Sequence, residues 1–140
     1  MIDVELGAML ADASQSAAYF IDVRDRAAVV EAATALDFHV AAANLVTVDD
    51  KPALLAEIAR ALRFPGSFGA NWDALADSLG DLSWLPAPGY LLLLDHCGDL
   101  RDEAPDTFAT LLEILDEAAS AHAGAGLPFW AVLPVASPGA

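Results

Sequence analysis

Short apolar runs alternate with stretches of helical periodicity along the first half of the chain. Residues 18–22 form an apolar run typical of a short buried strand, and residues 27–36 follow with apolar positions on one side of a helix. The pattern then repeats, with an apolar run at residues 44–48 and a helical pattern that starts near Pro52, where proline is tolerated. We therefore expect two successive strand–helix units, which echo each other weakly in sequence.

The second half continues this alternation after a compact turn. Asn71 is a favourable N-cap for an amphipathic helix that extends to about Leu82. Residues 90–95, YLLLLD, are almost continuously apolar, as expected for a central strand that is covered on both faces. A long helix over residues 105–122 and a last strand over residues 129–134 complete the predicted elements.

Strands that alternate with helices predict an α/β fold with a parallel sheet, because right-handed crossovers pack the connecting helices against the sheet. We expect four strands in this sheet. A chain of 140 residues is long enough for one substantial core and short for two. The expectation is a single domain over residues 1–140, with an irregular tail at residues 135–140.

The composition adds a strong charge asymmetry to this picture. The chain is 56% hydrophobic and has a formal net charge of −15, so an apolar interior is wrapped in an acidic surface. Nucleic acid is a poor partner for such a surface, whereas a basic protein would be attracted to it. The acidity could equally serve only to keep an apolar protein in solution, and composition alone does not separate the two interpretations.

A single cysteine, Cys97, excludes an internal disulfide and any site with several cysteine ligands, and it is compatible with a reducing compartment. The first ten residues lack the basic flank of a secretory signal, and the apolar runs are too short to cross a bilayer. We therefore expect a cytoplasmic protein without membrane association.

Few residues could support catalysis. His96 and Cys97 follow the presumed central strand, at the edge where α/β folds bind ligands. Adjacent residues on an extended segment point to opposite sides, so His96 cannot simply activate Cys97. His39 and His122 have no motif around them, and neither metal-ligand spacing nor a nucleotide-binding loop is present. We predict no enzymatic activity, no cofactor and no metal; catalysis by His96 and Cys97 is kept as an alternative that requires both side chains in one cleft.

The predicted helix after Asn71 places like charges along one face. Asp73 and Asp77 are four residues apart, and no basic residue occurs between Arg63 and Arg101. Like charges at this spacing destabilise an isolated helix, so the arrangement favours a partner outside the helix. Other acidic residues are expected to be ordinary solvated charges: Asp81, Asp99, Asp102 and Glu103.

The segment FPGSFGANWDALADSL, residues 64–79, resembles the corresponding segment of the barstar family. Barstar is the intracellular inhibitor of the secreted ribonuclease barnase. The resemblance extends from about Leu45 to Pro134 and follows the order of strands and helices in that family. The family fold has three parallel strands. The N-terminal strand–helix unit, within residues 1–43, is therefore expected to add a fourth strand or a flanking layer to a core at residues 44–134.

In barstar-like proteins the acidic helix and the preceding turn occlude the ribonuclease active site, with carboxylates at the positions of RNA phosphates. The resemblance assigns the dominant carboxylate to Asp77 and a supporting one to Asp73. It also implies partner contacts at Phe68, at Gly69 and Asn71 in the turn and helix start, at Glu117 on the long helix, and at Trp84. The implied function is a non-enzymatic inhibitor, of antitoxin or immunity type, that binds a basic ribonuclease.

Three positions depart from the family pattern. Ser67 and Ala76 stand at partner-surface positions where the family can have aromatic residues, and Ala121 stands where a second glutamate could follow Glu117. Because aromatic anchors carry much of the binding energy of an interface, we do not expect tight binding to barnase itself. The target is then a different basic ribonuclease or another cationic toxin. The alternative is a general protein interaction module that has lost the ribonuclease target, with self-association as a further possibility.

Overall fold

The computed structural model of the protein describes residues 4–136 and confirms the α/β class. Four strands and six α-helices occur in that range: α1 (Val4–Ala11), β1 (Ala18–Asp22), α2 (Arg26–Ala35), β2 (His39–Asn44), α3 (Lys51–Ala61), α4 (Trp72–Asp81), β3 (Tyr90–Asp95), α5 (Gly98–Glu103), α6 (Pro105–Gly124) and β4 (Phe129–Val135). The sequence pattern did not indicate α1 or α5. Residues 1–3 of the N-terminal segment and residues 137–140 of the predicted tail lie outside the described range.

All four strands are parallel and lie in one sheet in the order β1-β4-β3-β2. The apolar strand β3 is central, between β4 and β2, and its residues Tyr90 to Leu94 are buried. This confirms the prediction that the run YLLLLD is covered on both faces. The crossover from β1 to β2 and the crossovers that follow it leave helices on both sides of the sheet.

A hydrophobic core fills each face of the sheet. The larger core contains buried residues of α3, α4, α5 and α6, together with Leu92, Leu94 and Phe129 from the strands. The smaller core joins α1 and α2 to the other face, where Trp130 is packed and donates its indole N–H to the carbonyl of Leu10 at 3.0 Å. The acidic helix α4 therefore lies on the side of the sheet opposite to α1 and α2.

One predicted strand was placed wrongly. The second strand was expected at residues 44–48, but β2 is His39–Asn44, and residues 45–48 form a turn in which the Val48 N–H donates to the Leu45 carbonyl. Leu45 and Val48 are buried as turn residues, which explains why their apolar character resembled a strand. The alanine-rich sequence of β2 has little strand propensity, so β2 is identified as a strand only by its pairing with β3.

The N-terminal region supplies the fourth strand of the sheet. β1 pairs with β4 from Ala18 opposite Ala131 to Asp22 opposite Val135. Two side-chain contacts fix this edge: the Ala18 N–H donates to the Asp116 carboxylate at 2.8 Å, and the Phe129 N–H donates to the Ser16 hydroxyl at 3.1 Å. The extension is thus joined to the rest of the fold by backbone pairing and not only by helix packing.

Candidate partner-binding site

The turn before α4 begins with a sharp helix end. Arg63 follows α3 in the left-handed region, with φ 54°, and the next N–H, that of Phe64, reaches back to the Ala59 carbonyl at 2.9 Å. This is the hydrogen-bond pattern of a Schellman motif, which satisfies carbonyls that the helix end would otherwise leave unpaired. The Phe68 N–H then donates to the Pro65 carbonyl at 3.0 Å and closes a tight turn.

Three aromatic rings hold this turn against the segment that follows α4. Phe64 packs edge-on against Phe68, with ring centroids 4.9 Å apart, and against Trp84, at 5.7 Å. The Trp84 indole N–H donates to the Leu62 carbonyl at 2.9 Å, so the tryptophan is tied to the end of α3. Trp84 and Phe68 are half-buried, which means that each ring both supports the turn and remains partly available at the surface.

Helix α4 is fixed in place by its cap and its apolar side. The Asn71 side chain accepts a hydrogen bond from the Ala74 N–H at 2.8 Å, as the sequence predicted for an N-cap. Leu75 and Leu79 are completely buried against α6, and the buried His122 ring of α6 donates to the Leu79 carbonyl at 2.8 Å. These contacts leave one long face of α4 toward solvent.

That outer face carries three aspartates without a basic partner. Asp73, Asp77 and Asp81 are exposed, and none of them forms an ion pair within residues 4–136. Lys51 does approach α4, but its ammonium lies over the Trp72 ring, 5.0 Å from the centroid. Four arginines form ion pairs elsewhere: Arg24 with Asp22, Arg26 with Asp95, Arg60 with Glu57 and Arg101 with Asp102.

A groove of about 470 Å³ runs between the turn and the outer face of α4. Among the positions named from the sequence, the groove brings together Ser67, Phe68, Gly69, Asp77 and Trp84. Its other lining residues were not predicted: Pro65, Ala74, Ser78, Asp81 and Ser83. The signal that could have found Ser78 and Asp81 is their helical spacing from Asp77, one residue and one turn farther along.

Four predicted positions lie outside the groove. Asp73 and Asn71 lie at the start of α4, where Asn71 acts as the cap. Ala76 is half-buried and packs against the larger core, and Glu117 is exposed on α6. Of the nine predicted residues, five therefore line a common cavity.

A second cavity, of about 570 Å³, lies at the carboxyl ends of the strands, where α/β folds often bind ligands. It contains His96 and Cys97, but the Cys97 side chain is only 1% exposed and belongs to the larger core. Burial raises the pKa of the Cys97 thiol, which disfavours the reactive thiolate. The alternative that His96 and Cys97 form a catalytic pair is therefore excluded.

An ion pair also lies at the carboxyl ends of the strands. Arg26 at the start of α2 donates two hydrogen bonds to the Asp95 carboxylate, each 2.8 Å long. The contact raises the pKa of Arg26, chiefly through the side-chain hydrogen bond, and connects the N-terminal region to the end of β3. The carboxylate of Asp95 is thus engaged within the chain.

Within residues 4–136, no group of three or more histidine, cysteine or acidic side chains is placed to hold a metal ion. In the same range, no helix combines the length and the apolar character that a membrane span requires.

The fold and the site together define a small α/β protein in which an acidic helix is presented to solvent. Residues 38–134 match the model of the family described as Barstar (barnase inhibitor). The chain therefore belongs to the barstar family, with an N-terminal extension that contributes β1. The match begins at β2, ahead of the start inferred near Leu45, because β2 lies earlier than its predicted position. A comparison with curated proteins found no match.

Family membership carries two consequences. The barstar family consists of non-enzymatic inhibitors, so the chain is not an enzyme. It also implies a function like that of a barnase inhibitor, in which a barnase-like ribonuclease is the expected partner.

Proposed function

We propose that this protein inhibits a basic ribonuclease, or another cationic toxin, by docking α4 and the turn before it over the active site. Of the positions that the resemblance named, Asp77 is the central carboxylate of this surface, and Asp73, Phe68, Ser67, Gly69, Asn71, Ala76, Trp84 and Glu117 are its other members. The proposal accounts for the acidic helix as one half of a set of charge pairs. The other half is supplied by the partner.

The observation that carries the proposal is the unbalanced charge on α4. Asp73, Asp77 and Asp81 are exposed and have no ion pair in the described part of the chain, while four arginines pair with other carboxylates. Like charges one turn apart destabilise a helix by about 0.2–0.5 kcal/mol per pair, so the arrangement favours a compensation from outside the helix. An interaction module without a cationic partner would give no reason for it.

Charge and burial would act at different stages of binding. The net charge of −15 accelerates the approach of a basic protein, and this acceleration weakens as salt rises. Once docked, a charge pair that loses its water can dominate the affinity, an effect for which barnase and barstar are themselves the standard example. The small side chains at Ser67 and Ala76 would leave the charges with a larger share of the binding energy than in family members with aromatic residues there.

The test is inhibition of RNA hydrolysis by basic microbial ribonucleases, with wild-type protein and with Asp77→Ala. Truncating one member of a buried charge pair costs about 2–5 kcal/mol, so the inhibition constant should rise by about thirtyfold or more. The free energy of unfolding should stay within about 0.5 kcal/mol of wild type, because Asp77 is exposed and forms no ion pair within residues 4–136.

Glu31→Ala provides the matched control. Glu31 is exposed on α2, on the other side of the sheet, and its loss changes the net charge by the same amount. It should slow association slightly and leave the dissociation rate unchanged. Equal effects of the two substitutions, or no inhibition of any basic ribonuclease, would contradict the proposed function.

A further inference from the structure

At the carboxyl ends of the strands, the chain leaves the sheet toward opposite faces. After β1 it passes into α2, whose buried residues belong to the smaller core on one face of the sheet. After β3 it passes into α5 and α6, which pack in the larger core on the other face. β4 lies between β1 and β3. The two connections therefore diverge and leave a crevice beyond the end of β4, which is where α/β sheets commonly bind ligands.

The cavity of about 570 Å³ at this edge is that strand-end crevice. Its lining comes from three strand ends: Val23 follows β1, residues 95–98 end and follow β3, and residues 134–136 end and follow β4. The N-terminal extension, which precedes the family match at residue 38, contributes Val23 and Arg26. The extension therefore builds one wall of a cavity whose volume is in the range of small-molecule sites.

The charge of this lining is opposite in sign to that of the whole chain. Two arginines and one aspartate give the strand-end crevice a formal charge of +1 with His96 neutral, whereas the chain carries −15. Arg26 donates to Asp95 through Nε and Nη2, and within residues 4–136 its remaining nitrogen, Nη1, donates to no acceptor. The Nε atom of Arg101 lies 3.9 Å from the Asp102 carboxylate, which is a loose contact between exposed side chains. Both arginines therefore have hydrogen-bond donors left for an anion.

A carboxylate matches this lining better than a phosphate. A carboxylate has a single negative charge and two coplanar oxygens that fit the fork of a guanidinium. A phosphate monoester carries about two negative charges at pH 7, which would leave an excess of negative charge beside Asp95. The rest of the wall is apolar and suits a ligand with an apolar body: Val23, Pro134, Val135 and Ala136.

We propose that the strand-end crevice binds a small carboxylic acid, with its carboxylate against Arg101 and Arg26 and its apolar body against Val23 and Pro134. This site is separate from the surface that the proposed function uses. Among the described residues, none lines both the strand-end crevice and the groove beside α4. The proposal therefore does not depend on a ribonuclease partner.

The test uses benzoate as the probe, added to the ¹⁵N-labelled full chain. The readout is the set of amide chemical shifts of Val23, Gly98 and Ala136, one residue from each of the three strand ends. Benzamide is the matched control, because it has nearly the same shape and no charge, and inorganic phosphate separates the two classes of anion. We expect benzoate to shift all three signals, and benzamide or phosphate at the same concentration to leave them in place.

Two variants separate a specific site from a general effect of charge. Arg101→Gln should weaken benzoate binding by about tenfold or more, because it removes a charged hydrogen-bond donor from the lining. Arg101 is exposed, so the variant should remain folded. Arg24→Gln removes the same charge from an exposed side chain that follows the end of β1 and does not line the crevice. It should weaken benzoate binding by less than about threefold, because salt screens distant exposed charges.

Three results would overturn the proposal. The first is the absence of shifts at Val23, Gly98 and Ala136 up to the solubility limit of sodium benzoate. The second is an equal response of these signals to benzamide or to inorganic phosphate. The third is an equal loss of benzoate affinity in the two arginine variants. Because the first two results come from the wild-type protein, the proposal can be refuted even if a variant fails to fold.

Discussion

The carboxylate at the carboxyl edge of the sheet forms an ion pair, whereas the carboxylates on the outer face of α4 form none within the described range. Asp95, at the end of β3, accepts two hydrogen bonds of 2.8 Å from Arg26, and the pair joins the extension to the family core. Asp77 and Asp81, on α4, have no ion pair in the described range. With only six basic residues in the chain, the placement of the arginines decides which carboxylates remain available to a partner.

Under the proposed function, stability and recognition are assigned to different aspartates. A paired carboxylate contributes to the folded state, because its removal leaves a partly buried arginine without its acceptor. An unpaired, exposed carboxylate contributes little to folding and is free to contribute to association. Three substitutions test this division, and the free energy of unfolding of the free protein is the main measurement for all three.

The largest effect is expected at the sheet edge. Asp95→Ala removes the acceptor of Arg26 and should lower the free energy of unfolding by about 1–3 kcal/mol, measured by urea denaturation. Inhibition of the ribonuclease should be unchanged once the protein is folded. Asp99→Ala, at an exposed position without an ion pair within residues 4–136, is the control and should stay within about 0.5 kcal/mol of wild type. Similar losses of unfolding free energy for both variants would show that the Arg26 contact does not cause the destabilisation.

A smaller effect is expected at the start of α4. Asn71→Ala removes the acceptor of the Ala74 N–H and should lower the free energy of unfolding by about 1 kcal/mol. Asn71→Ser should recover most of that loss, because a serine hydroxyl can accept the same hydrogen bond. An alanine variant as stable as wild type would mean that α4 is held by its buried leucines alone and that its cap is dispensable.

The smallest effect is expected at Glu57, another carboxylate that is paired. Hydrogen bonds from Arg60 hold the pKa of Glu57 below its ordinary value, and the Asn44 N–H also donates to it at 2.6 Å. A lowered pKa in the folded state stabilises the protein above the ordinary pKa of about 4.3, and this contribution disappears as pH falls through the lowered value.

Glu57→Gln should therefore reduce stability at pH 7 by less than about 1 kcal/mol, because Arg60 is well exposed. The difference from wild type should shrink on acidification below about pH 4. Urea denaturation at a series of pH values measures it, with Glu31→Gln as the exposed control. A difference that is constant with pH would exclude the Arg60 contact as its cause.

Local signals in the sequence were sufficient for the acidic helix and its turn. Asn71 and the spacing of Leu75, Leu79 and Leu82 act within a few residues, so the pattern that predicts α4 is the pattern that forms it. The central strand β3 was equally predictable, since a run buried on both faces has a composition that no exposed segment shares. The family resemblance followed from the same region.

Other features depend on contacts that are distant in sequence. β2 is a strand because His39 to Asn44 pair in register with Tyr90 to Asp95, and the alanines themselves give little indication of it. The placement of Asp81 beside Phe68 and Trp84 likewise requires the Phe64 ring and the hydrogen bond to Leu62 to fold the turn back.

By itself, the sequence determined that the chain has an apolar α/β core, an excess of negative charge and an acidic helix. Only the tertiary structure decided which carboxylates are neutralised, because Arg26 and Asp95 are 69 residues apart and meet only when β1 joins the sheet. Helical periodicity and strand hydrophobicity are local properties, whereas pairing of charges depends on which side chains the fold brings within hydrogen-bond distance. For this reason the helix could be predicted, while the availability of its aspartates could not.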